Sequence, residues 1–299
     1  MIPSAPELAY PRHVSEEVDL LARALGSAAE VFLFLDYGGT LVPGLRGESP
    51  PPTPELRSKL WQLAQEDAFS VFVVSRRRVA DLDELLGIPE LGFVGQGGFE
   101  IRGDDGDVFF PVDPAITGSL IRELERGAVE HLACFQGVEI ENLGCTLSVR
   151  LPRDECRIAR EATQRFVSLV REIDSRRQLE VLYDHSAVDV RLSGWHKGHA
   201  VRHILADADR DDTLAIYLGD DVTDEVAFEA VGEWSLSDEE GGPWDMPPID
   251  DDDGFWSPGA LTVLVAESPR PSAASLFVRN PKEVYEFLSS LAAVASSIL

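Results

Sequence analysis

Four short stretches of this chain carry residues that could do chemistry together. Asp36 closes one apolar run, Ser75 closes another, Lys197 stands beside Gly198, and Asp220, Asp221 and Asp224 follow a third apolar run. A carboxylate at the end of a buried strand is costly without a partner. Any one of these residues alone reads as a helix or turn cap; the set does not. Asp36, Asp220 and Asp224 offer hard oxygen ligands to a cation such as Mg²⁺. That cation and Lys197 would neutralise a phosphoryl group, with the Ser75 and Thr40 hydroxyls and the Gly39 amide hydrogen-bonding its oxygens. The free oxygen of Asp36 would then attack phosphorus, giving an aspartyl-phosphate that water hydrolyses. Lys197 is one of only three lysines, with Lys59 and Lys282.

The elements that must position these residues follow from hydrophobic pattern. Residues 31–35, 70–74, 91–94, 214–218 and 261–266 are short runs apolar on both faces, as in buried parallel strands. Helices are predicted over 15–28, 53–66, 78–86, 199–208, 224–231 and 281–299. This alternation specifies an α/β fold with a doubly wound, Rossmann-like parallel sheet, in which ligands bind beyond the carboxyl ends of strands. All four stretches fall there.

The middle of the chain breaks the rhythm. A helix over 116–135 precedes strands 138–142 and 145–151, joined at Leu143-Gly144; a long helix over 154–174 precedes a second hairpin, 179–183 with 187–192. The predicted organisation is a core domain of residues 1–111 and 193–299 carrying an inserted α+β cap, 112–192. The Gly/Pro/Asp-rich stretch 237–259 reads as a solvated loop.

Composition narrows the function classes. A chain of 299 residues, 44% hydrophobic and 26% charged, is neither disordered nor fibrous. Acidic residues outnumber basic ones 53 to 26, a net charge of −27. That field repels nucleic acid and anionic membranes, excluding both as partners, and obliges a phosphate site to supply local cations. An acid-rich, lysine-poor surface suits concentrated salt, where screening removes self-repulsion. The expected result is a urea midpoint that drops in dilute buffer and recovers in molar salt. Three cysteines without metal-type spacing, no apolar run of bilayer length and no leader-like start predict a cytoplasmic protein.

The motifs resemble a known family. Asp36-Tyr37-Gly38-Gly39-Thr40-Leu41, Ser75-Arg76-Arg77, Lys197-Gly198 and Gly219-Asp220-Asp221-Val222-Thr223-Asp224-Glu225 are similar to the four motifs of haloacid dehalogenase superfamily phosphatases. With a cap between the second and third motifs, they look like the trehalose-6-phosphate phosphatase family, over about residues 31–290. The resemblance implies a Mg²⁺ cofactor, a phosphorylated sugar substrate and hydrolysis through Asp36 and Lys197. It further implies phosphate binding by Gly39, Thr40, Ser75, Arg77 and Lys197, metal binding by Asp36, the Gly38 carbonyl, Asp220, Asp221 and Asp224, and sugar contacts from Glu141 and Arg150.

The chain also departs from that family. Gly38 stands where the family has a second aspartate, the general acid and base, so a carbonyl for the metal survives while the proton donor does not. Such a donor is typically worth about 10²–10⁴-fold. Arg76 fills a glycine slot, Gly97 a histidine slot and Leu143 a lysine slot, and a His-x-Arg in the cap becomes Arg150-Leu151-Pro152. Two readings follow: an active sugar-phosphate phosphatase, or a catalytically impaired relative that binds metal and phosphosugar in a regulatory or assembly role.

Overall fold

A computed structural model describes residues 9–44, 49–103, 106–152, 155–183, 187–236 and 259–298. The acidic stretch expected to be a loop lies almost wholly outside these residues. In chain order the first half contains β1 (Arg12–His13), α1 (Val18–Ser27), β2 (Glu30–Asp36), α2 (Pro54–Ala64), β3 (Phe69–Val74), α3 (Val79–Leu86), β4 (Gly92–Gly95), β5 (Glu100–Arg102) and β6 (Val108–Phe109). Then come α4 (Pro114–Leu132), β7 (Glu139–Asn142), β8 (Thr146–Arg150), α5 (Cys156–Ile173), β9 (Leu179–Tyr183) and β10 (Ala187–Leu192). The chain closes with α6 (Lys197–Ile204), β11 (Thr213–Gly219), α7 (Val222–Ser235), β12 (Ala260–Val265), β13 (Leu276–Val278) and α8 (Pro281–Ile298).

The main sheet runs β1-β13-β12-β11-β2-β3-β4-β5-β6, parallel from β1 to β4 and antiparallel at β5 and β6. Its strands are apolar on both faces because both faces are covered. In β2, Val31, Leu33 and Leu35 pack with α1, α2, α3 and α8, whereas Phe32 and Phe34 join Tyr217 and Phe72 under α6 and α7. This is the expected doubly wound α/β core. Chain order reverses between β2 and β11: β3 and β4 lie to one side of that pair, β12 and β13 to the other. A crevice forms at such a switch point, and Asp36 and Asp220 stand at the carboxyl ends of the two strands flanking it.

The second sheet, β7-β8-β10-β9, is antiparallel and packs α4 and α5 on one face. Leu147, Val149, Val188 and Val190 point into that small core, with Ile121, Leu124 and Phe166 opposite. Period-2 alternation places Thr146, Ser148, Arg150, Asp189 and Arg191 on the other face, of which Thr146, Ser148, Asp189 and Arg191 are nevertheless buried. The four short strands β1, β5, β6 and β13 were not anticipated; at two or three residues each they carry no readable period. α6 begins two residues earlier than predicted, at Lys197. α7 likewise begins at Val222, because Asp221 caps it by accepting from the Thr223 amide at 2.7 Å. No described helix is long and apolar enough to cross a membrane.

Candidate active site

Asp36, Asp220 and Asp224 converge, each with a carboxylate oxygen within 4.8 Å of the others. Lys197, 2% exposed, donates from Nζ to Asp36 Oδ1 at 2.8 Å and to Asp224 Oδ1 at 2.7 Å. Glycine makes this approach possible. A Cβ on Gly198 would collide with the Val226 carbonyl, so α6 can press against α7 only without a side chain there.

Asp224 is a hub rather than an open ligand. Its Oδ1 also accepts from the buried Tyr217 hydroxyl at 2.7 Å, and its Oδ2 accepts from the Asp220 and Asp221 amides, both at 3.1 Å. A carboxylate has about four acceptor positions, and these four donors fill them. Asp224→Ala would leave Lys197 with Asp36 as its one counter-ion and the buried Tyr217 hydroxyl without its acceptor, and a buried donor left unsatisfied costs about 1–3 kcal/mol. A urea titration of that variant should register a loss of this order. Tyr217 was missed in the sequence; its signal was a hydroxyl inside an otherwise apolar strand, three residues before Asp220.

The charge balance favours a cation. Burial, then repulsion from Asp220 and Asp221, pushes the Asp36 carboxyl up to about 7 against the pull of Lys197. Burial, with Asp221 and Asp224 nearby, likewise raises Asp220 to about 7. Asp221 is the exception: although burial raises it, Lys197, the Thr223 hydroxyl and Arg76 bring it down to about 2. It faces Thr223, accepting at 2.6 Å from the hydroxyl, and does not join the converging triad. An all-oxygen donor set short of positive charge fits a hard divalent ion.

The other expected phosphate ligands are placed unequally. Thr40 is fully buried, with its hydroxyl 3.4 Å from Asp220 Oδ1. Gly39 has φ of 101°, and its backbone lies so close to the Asp220 carboxylate that any Cβ would overlap it. Its amide donates to the Val42 carbonyl at 2.8 Å. Ser75 is buried at the end of β3 and accepts from the Arg77 amide at 3.2 Å. The Arg77 guanidinium reaches the Ser49 carbonyl at 3.2 Å and lies over the Tyr37 ring.

Its neighbour Arg76 faces the crevice. Half-exposed, it pairs at 2.8 Å with the buried Asp189 of β10 and feels the Asp36 and Asp221 charges. The residue in the glycine slot thus ties the parallel sheet to the inserted one. Gln96 makes a second tie, accepting from the Cys145 amide at 2.6 Å from a backbone at φ 49°. Arg270 anchors the loop after β11 by donating to the Asp220 carbonyl at 3.2 Å and to Glu225 at 2.6 Å. Glu141 and Arg150 lie on the β7–β8 hairpin and pair with each other at 2.5 Å.

Comparison with known proteins agrees with this geometry. The family model for trehalose-phosphatase matches residues 34–242. The chain belongs to the trehalose-phosphatase family. Membership makes its reaction class phosphoric monoester hydrolysis. A trehalose-phosphate phosphatase of Mycobacterium marinum is 26% identical over 300 residues, covering 96% of this chain and 69% of that protein. Among solved structures, the C-terminal domain of the Candida albicans trehalose-6-phosphate phosphatase superposes with a TM-score of 0.76 at 19% identity, over 96% of this chain and 99% of that one. The C-terminal domain of the Candida albicans trehalose synthase regulatory protein gives 0.71 at 14% identity, over 96% and 100%. At these identities the structural likeness is one of fold. It gives this trehalose-phosphatase family member a mostly parallel α/β core with an inserted α+β unit.

Proposed function

We propose that this chain hydrolyses a sugar phosphate monoester, trehalose 6-phosphate or a close relative, with Asp36 as the nucleophile. The observation that carries the reading is the ion-paired corner at the switch point: Lys197 bridging Asp36 and Asp224, with Asp220 alongside. The Asp36 carboxylate attacks phosphorus, the bond to the sugar oxygen breaks, and water opens the aspartyl-phosphate to restore Asp36. Lys197 holds the carboxylate in place and offsets charge gathering on the phosphoryl oxygens. Asp36, Asp220 and the Gly38 carbonyl would hold Mg²⁺, which when bound neutralises phosphoryl charge as a Lewis acid. Asp224 fixes Lys197 and the Asp220 loop from behind.

The inserted unit, about residues 112–192, acts in this reading as a cap whose polar face closes over the sugar. Thr146, Ser148, Asp189 and Arg191 are buried polar groups on the face away from its own core, the lining a polyol needs. The Asp189 Oδ1 atom is buried without a hydrogen-bond partner among the described residues. The test is phosphate release from trehalose 6-phosphate and a sugar-phosphate panel, with Mg²⁺ or with a chelator, at low and high salt. Release that needs Mg²⁺ is expected. A protein that binds the phosphosugar without turning it over would instead support the regulatory reading, which Gly38 favours.

A further inference from the structure

The side chain that glycine omits at position 38 has a tenant. A Cβ built on Gly38 runs into the Ser49 hydroxyl, with Ser49 Cβ 3.5 Å away. Ser49 is held there by its neighbours. Its carbonyl accepts from Arg77 at 3.2 Å, and the Pro50 carbonyl accepts from the Tyr37 hydroxyl at 2.7 Å. Tyr37, adjacent to the nucleophile, is 1% exposed and therefore fixed. Pro50, Pro51 and Pro52 restrict the backbone that follows, up to Thr53, which caps α2. The hydroxyl thus stands where the first atoms of a residue-38 side chain would stand, beside a backbone position two residues beyond Asp36, and it is only half-buried.

We propose that the Ser49 hydroxyl is the proton donor to the departing sugar oxygen, acting from the space that a side chain at position 38 would enter. This rests on the hydrolase reading above and adds a residue to it. As the phosphorus–oxygen ester bond breaks, the electron pair stays on the sugar oxygen, which takes the Ser49 Oγ proton. Ser49 Oγ takes a proton from a water molecule in turn, and solvent neutralises the hydroxide left behind. A serine hydroxyl is a weaker acid than a carboxyl, so its contribution falls at or below the bottom of the usual range for general acids, about 10–10²-fold.

The experiment compares an alkyl ester, trehalose 6-phosphate, with an aryl ester, para-nitrophenyl phosphate, whose leaving group departs without a proton. Wild type, Ser49→Ala, Ser49→Thr and Asp36→Asn are assayed with Mg²⁺. Ser49→Ala should lower kcat on the alkyl ester by about tenfold or more while leaving the aryl ester unchanged, and Ser49→Thr should retain most alkyl turnover. An equal loss on both esters, or no loss on the alkyl ester, overturns the role of Ser49 and leaves the hydrolase reading standing. If wild type is inert on both esters, or if Asp36→Asn keeps its turnover, the hydrolase reading fails and this inference fails with it.

Discussion

Asp36→Asn should abolish phosphate release while leaving the protein as stable as before, or more so, in metal-free buffer. The amide matches the carboxylate in shape and still accepts from Lys197 Nζ, so the ion-paired corner keeps its geometry. It cannot form an acyl phosphate. Removing a nucleophile from a set of groups that act together typically costs on the order of 10⁴–10⁶-fold in kcat. The stability half of the expectation comes from electrostatics. Burial and the neighbouring Asp220 and Asp221 push the Asp36 carboxyl up to about 7, so its ionised form is disfavoured in the folded protein. A neutral isostere relieves that repulsion, and Lys197 keeps Asp224 as its counter-ion. The variant thus trades activity for stability, as functional sites commonly do. Mg²⁺ should raise the melting temperature of the wild type more than that of the variant, because a ligand stabilises only the form that binds it. Phosphate release surviving in Asp36→Asn would remove the nucleophile from its role. An equal Mg²⁺ response in both proteins would remove it from the metal site.

Much of this architecture was legible because it rests on local pattern. β2, β3 and β11 are apolar on both faces and each gives way to a polar residue, so strand ends and candidate site residues were read together. The inserted unit was visible as the point where continuous apolar runs turn into period-2 alternation. What escaped is long-range pairing. The Arg76–Asp189 ion pair joins residues 113 positions apart, and no spacing rule connects a loop after β3 with the polar face of β10. Tyr217 reads as one more apolar strand residue, because the acceptor of its hydroxyl, Asp224, comes from the following helix. The turn of residues 37–42 gives the Gly39 N–H to the Val42 carbonyl, a pairing that its motif does not announce. Position 38 is the sharpest case. A missing carboxyl can be seen in a sequence, but a serine folding back into the same space from eleven residues away cannot.

Restoring the carboxyl tests whether proton donation limits this enzyme, and Ser49 decides how the restoration must be made. Gly38 does not sit at a positive φ, so an aspartate can take its backbone conformation without strain. Its Cβ meets the Ser49 hydroxyl, however, and forcing an extra side chain into filled space costs about 1–3 kcal/mol in displaced neighbours. Gly38→Asp alone should therefore gain less turnover than Gly38→Asp combined with Ser49→Ala, where the obstructing oxygen is gone and the remaining Cβ lies at ordinary contact distance. Against Ser49→Ala as the background without a donor, the double variant should raise kcat on trehalose 6-phosphate by about 10²–10⁴-fold, the usual range for a positioned general acid. On an aryl phosphate the same comparison should show little change, because that leaving group departs as a stable anion. The order of alkyl-ester rates is then Ser49→Ala lowest, wild type next, Gly38→Asp above it and the double variant highest. A double variant no faster than Ser49→Ala would mean that the sugar oxygen leaves without help from this corner of the site, and the rate would have to be limited by capture of the sugar by the inserted unit or by opening of the aspartyl-phosphate.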